Sequence, residues 1–108
     1  MSSLTRRQIL SGLTLLPLLT ALPARSATLA VVIKGMKFNP ATLQIAAGDS
    51  VTFTNEDGAP HTATADDKSW DTGRLSRGNA ASITFAAPGR YAYHCAVHPS
   101  MKGVIIVA

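Results

Sequence analysis

Tyr91-Ala92-Tyr93-His94-Cys95-Ala96-Val97-His98-Pro99-Ser100-Met101-Lys102-Gly103-Val104-Ile105-Ile106-Val107 holds the only cysteine of the chain, with a histidine three residues and a methionine six residues beyond it. Before the cysteine the residues alternate, so Tyr91, Tyr93 and Cys95 share one face of a strand and Ala92 and His94 the other. After the methionine, Lys102 to Val107 is nearly all apolar, which suits a strand covered on both sides. Between the two strands, a thiolate, an imidazole and a thioether fall within seven residues. Fully extended, such a span reaches at most ~20 Å, so the segment has to curl for its donors to converge, and Pro99 favours the turn. Thiolate with thioether is a soft donor pair that selects copper, whereas zinc prefers four strong ligands and gains little from a methionine. Two histidines and a cysteine around a weak axial methionine make an electron-transfer copper centre. The loop supplies three of these four, and a second imidazole has to come from elsewhere in the chain.

Working outward, short runs of strand character recur between turn signals. Thr28 to Lys34 is rich in β-branched residues and ends at Gly35; Met36 to Pro40 reads as irregular, because Pro40 cannot donate to a ladder. Thr42 to Ala46 is a second strand, and Gly48-Asp49 reads as a turn closing a hairpin onto Ser50 to Asn55. There Val51, Phe53 and Asn55 share a face, so one side of the strand is in the core. Glu56 to Pro60 is a loop, and His61 to Ala65 a fourth strand. Asp66 to Asn79 shows no period and reads as a long connection with room for a helical turn. In it Trp70 is expected to pack as a satellite of the core, while Asp66, Asp67 and Asp71 are solvated. Ala80 to Ala86 resumes strand character with Ile83 and Phe85 inward, and Pro88-Gly89 turns the chain into Arg90 to Cys95. Seven to eight short strands with turns at such intervals predict an all-β, Greek-key antiparallel β-sandwich.

The first 27 residues read differently. Arg6-Arg7 precedes an apolar run from Ile9 to Pro23 that Ser11, Gly12, Thr14, Pro17 and Thr20 interrupt. The run is too short and broken for a membrane span. With the small residues Ala24, Ser26 and Ala27 after it, it has the form of a cleaved export signal of the twin-arginine type. Residues 1–27 are thus expected to be a leader and 28–108 the domain, exported to a bacterial periplasm without a stable membrane anchor. Loss of Arg6, Arg7 and Arg25 would leave seven of the ten basic residues against six acidic ones. A chain so nearly neutral gives no footprint for nucleic acid. A domain of that size has a marginal core, and one cysteine cannot staple it with an internal disulfide. A bound metal can, by favouring the folded state.

Met36-Lys37-Phe38, Gly48-Asp49-Ser50-Val51-Thr52-Phe53-Thr54-Asn55, Pro60-His61 and the loop from Cys95 to Met101 together resemble the cupredoxins, the type 1 blue copper proteins. Within that family the two-residue spacer between His98 and Met101 is most similar to the short loop of the amicyanins. The resemblance implies His61, Cys95, His98 and Met101 as ligands of one type 1 copper ion. It implies Asn55, Thr62 and Pro60 as the residues around them, with Asn55 tying the His61 loop to the Cys95 loop. Ala96 and Thr62 depart from the family pattern, in which a hydroxyl follows the cysteine and asparagine often follows the first histidine. His94, on the opposite face of its strand, is expected to be a hydrogen-bonded structural histidine, and Met36 to pack near the metal end. The implied function is a monomeric one-electron shuttle, not an enzyme, working through an edge formed by His98 and Pro99. Its partners would be redox proteins such as a dehydrogenase or a c-type cytochrome. A periplasmic carrier of Cu(I) would use the same ligands. Four ligands leave no open position for a substrate.

Overall fold

The computed structural model describes residues 26–108. Nearly all of the expected leader lies outside them. The described residues form eight strands: β1 Thr28–Ile33, β2 Phe38–Asn39, β3 Thr42–Ile45, β4 Ser50–Asn55, β5 Thr64–Ala65, β6 Ala80–Thr84, β7 Gly89–His94 and β8 Lys102–Val107. They make two four-stranded sheets, ordered β2-β1-β4-β6 and β3-β8-β7-β5. The all-β sandwich is the expected fold, with both sheets mixed: β1 runs parallel to β4, and β3 parallel to β8.

Alternation decides which residues meet between the sheets. Val31 and Ile33 of β1, Val51 and Phe53 of β4, Tyr93 of β7, and Ile105 and Val107 of β8 are all buried. Each aliphatic side chain removed from water in this way contributes about 1.5–3 kcal/mol before the entropic cost of ordering it. Aromatic rings fill the space between the layers. Tyr93 stands edge-on to Phe38 and Phe53, with ring centroids 4.7 and 5.4 Å apart. Trp70 stacks on Phe53 at 5.8 Å and meets Phe85 at 5.3 Å. It is partly buried and packs against the core from outside, the satellite position expected of it. Gly103 lies across from Tyr93 in the β7–β8 ladder. A Cβ there would be 2.5 Å from the Tyr93 hydroxyl oxygen, so the missing side chain is what lets the ring lie down over β8.

Four expectations are corrected by this architecture. Gly48-Asp49 closes no hairpin, because β3 and β4 belong to different sheets. The turn is an arch between layers: Asp49 accepts N–H bonds from Ala46 and Ala27, both at 2.9 Å, and Gly48 takes φ +94°. A Gly-Asp signal marks a reversal of direction without saying which sheet the chain rejoins. The His61 to Ala65 segment is a strand only at Thr64–Ala65, and His61 instead forms an isolated bridge with Leu75. That bridge, with another between Thr64 and Asp71, organises the 66–79 connection in place of a helical turn. Met36 to Pro40, expected to be irregular, contributes the short β2.

Candidate metal centre

β4 delivers the chain to one end of the sandwich, where Asn55 is fully buried. Its amide donates to the carbonyls of Ala59 at 2.8 Å and Leu75 at 2.7 Å, and its Oδ1 accepts the Asp57 N–H at 2.9 Å. This one side chain shapes the 56–60 loop and fastens it to Leu75. Leu75 in turn exchanges backbone hydrogen bonds with His61, at 3.1 and 2.7 Å. Held on both sides after the half-buried Pro60, His61 is 0% exposed. Its Nε2–H donates to Asp57 Oδ2 at 3.0 Å, leaving Nδ1 toward the interior of the site.

β7 brings in Cys95, also 0% exposed, from the core face. The curl expected after it is closed by two backbone bonds: Met101 N–H to His98 O at 2.9 Å, and Cys95 N–H to Met101 O at 3.0 Å. Met101 is thereby folded inward, 4% exposed, while His98 is half-buried and Pro99 exposed. Thr62 joins the two loops. Its backbone N–H points at Cys95 Sγ at 3.3 Å, and its Oγ1 accepts the Ala96 N–H at 2.8 Å. The Thr62 hydroxyl lies 2.8 Å from that of Thr64, which donates to Asp71 at 3.1 Å. Every hydroxyl proton in this relay has an acceptor. The asparagine link expected from Asn55 to the Cys95 loop is thus made by Thr62, since the side-chain hydrogen bonds of Asn55 all stay within its own loop and Leu75.

One donor atom each from His61, Cys95 and His98 lies within 4.8 Å of the others, so the three could hold a metal ion. His61 Nδ1 is 3.7 Å from Cys95 Sγ and 3.2 Å from His98 Nδ1. Two imidazole lone pairs cannot face each other at that distance unshared; a proton or a cation has to lie between them. With a thiolate as the third member and no carboxylate in the cluster, the donor set is soft. It fits copper and not calcium or magnesium, which require oxygen ligands.

Other residues singled out from the sequence lie around this centre. His94 hydrogen-bonds Asp66 at 2.7 Å on the outer face of β7. Met36 is 45% exposed and does not belong to the cluster. Asp57 went unnoticed in the sequence because Asp followed by Gly58 reads as turn chemistry. Its position four residues before His61 was the available signal.

A two-layer β-sandwich that gathers two imidazoles and a buried thiolate at one end defines a type 1 copper protein. The family profile for the cupredoxin-like domain matches residues 8–107, and the chain belongs to the cupredoxin family. Its cofactor is accordingly one type 1 copper ion. Over 82 residues it is 37% identical to amicyanin-alpha of Methylorubrum extorquens, covering 71% of this chain and 69% of that one. An alignment of the same length to the amicyanin of Paracoccus denitrificans gives 32% identity, covering 71% of this chain and 63% of that one. The solved structure of an oxidised amicyanin variant superposes with a TM-score of 0.71 at 30% identity, covering 75% of this chain and 82% of that one. No helix among the described residues is long and apolar enough to cross a membrane.

Proposed function

We propose that the protein is an exported one-electron carrier in which His61, Cys95, His98 and Met101 ligate the copper ion. Bound there, copper supplies a Cu(II)/Cu(I) couple. The observation that carries this reading is the cluster of His61, Cys95 and His98 donors, with Met101 folded inward on the same loop. The Cys95 thiolate favours the more highly charged metal state, and the Thr62 N–H moderates the charge on its sulfur. His61 and His98 would supply two imidazole donors and Met101 a weak thioether donor that adjusts the potential. Backbone bonds from β7, Leu75 and Met101 fix these groups, so little needs to move when the charge changes. His98 is the most exposed of the four proposed ligands, and with Pro99 it forms the edge for exchange. A small apolar edge suits brief encounters with redox partners, which bury little surface. A dehydrogenase and a c-type cytochrome are the kinds of partner we propose. The basic, broken apolar stretch in residues 1–27 supports export to the periplasm by the twin-arginine route.

The test is a visible spectrum of the purified domain with Cu(II), before and after mild reduction. An intense blue thiolate band is expected, bleaching and returning reversibly, and absent in Cys95→Ser. Weak colour with tight retention of Cu(I) would instead identify a copper carrier.

A further inference from the structure

Asp57 is outside the proposed ligand set, yet its carboxylate reaches a ligand and a second loop at once. Oδ2 accepts the Nε2–H of His61 and the N–H of Met36, both at 3.0 Å, and Oδ1 accepts the N–H of Gly35 at 2.8 Å. Gly35 and Met36 have φ of +66° and +59°. Consecutive amides in such a turn point their N–H groups into a shared concavity that binds an anion. Gly35 tolerates this backbone, whereas Met36 has a Cβ and adopts it against its own preference. The turn is therefore shaped around the carboxylate. The two amides hold both carboxylate oxygens in the turn while Oδ2 faces the ring. A ring that gives its Nε2 proton to an anion keeps its lone pair on Nδ1, and Nδ1 is the nitrogen that faces Cys95 and His98. A carboxylate in this position also makes the imidazole a stronger donor.

We propose that Asp57, gripped by the Gly35–Met36 turn, is a positioning residue that fixes the tautomer and orientation of His61 and biases the centre toward Cu(II). The proposal rests on the copper reading for its redox consequence, but not for the tautomer.

Two measurements on Asp57→Asn and Asp57→Ala separate these. In the metal-free protein, ¹⁵N-resolved spectra of the His61 ring are expected to show a single Nε2–H tautomer in wild type and a mixture in Asp57→Ala. In the copper-loaded protein, the ratio of Cu(II) to Cu(I) affinity is expected to fall about tenfold in Asp57→Ala. That raises the potential by ~59 mV for a one-electron couple. Asp57→Asn keeps an acceptor without the charge and should shift the potential less. Should Asp57→Ala fail to fold, Asp57→Asn decides alone. Unchanged tautomer and potential in the folded variants, with only thermal stability lowered, would reduce Asp57 to a clamp for the 35–36 turn and overturn the proposal. Absence of a blue band in wild type would defeat the copper reading, leaving the tautomer result to stand or fall separately.

Discussion

Thr62 couples the two halves of the centre through two different groups. Its amide serves the sulfur, and its hydroxyl serves the amide that follows the sulfur. Thr62→Val preserves shape and the N–H to Cys95 but removes the acceptor of the Ala96 amide, a loss of about 0.5–1.5 kcal/mol. Denaturant titration of the metal-free protein should show that loss, and Thr62→Ser should recover most of it. The donors themselves were legible in the sequence because their chemistry is unusual: a lone cysteine with histidine and methionine at close spacing has few other uses. Thr62 and Asp57 were not legible in these roles. What each does depends on a partner contributed by a distant loop, residue 96 for one and residues 35–36 for the other, and no local pattern encodes that meeting.

At the scale of the elements, period-two alternation located most of the strands because each has one face in a dry core. Val51, Phe53 and Asn55 in β4 are buried in turn, as alternation requires. Alternation said nothing about which strand pairs with which. The parallel pairings and the arch at Gly48-Asp49 come from how two sheets share one core, a property of the assembled layers. The β7–β8 pair carries a specific expectation. Gly103→Ala places a methyl group against the Tyr93 ring, which is locked between Phe38, Phe53 and Trp70 and cannot swing aside. Overpacking of that kind costs typically 1–3 kcal/mol. For a domain of this size each kcal/mol lowers the melting temperature by about 4–8 °C, which a thermal scan of the metal-free protein would detect.

Across the whole molecule, the two ends of the sandwich are secured by different means. One end has the donor cluster. The other has Asp49, buried and bonded to the amides of Ala27 and Ala46. Those two bonds, Ala27 first, hold its carboxyl below the ordinary value of 3.8. Because the folded form binds its proton less readily than the unfolded chain, Asp49 contributes fully above that value. The contribution drains away as pH falls through the lower, folded value. Asp49→Asn should therefore be less stable than wild type at neutral pH yet show a shallower decline on acidification, measured by denaturation midpoints across the acid range. Asp57, held low by the Met36 and Gly35 amides, and Asp67, held low first by the Ser69 side chain, remain in both proteins, so the difference in slope isolates Asp49.

The placement of β8 bears on when the centre can come into being. β8 lies between β3 and β7, and Thr42 pairs with Val104 across most of the domain's length in sequence. Contacts so distant along the chain close slowly, because a long loop must be ordered before any pairing rewards it. The Cys95–Met101 loop joins β7 to β8, which pair locally, whereas His61 reaches the same end of the sandwich through its bridge to Leu75 and the N–H that Thr62 aims at the sulfur. A chain in which these donors are not yet gathered leaves the Cys95 thiol accessible, since the burial of the sulfur and the cluster arise from the same fold.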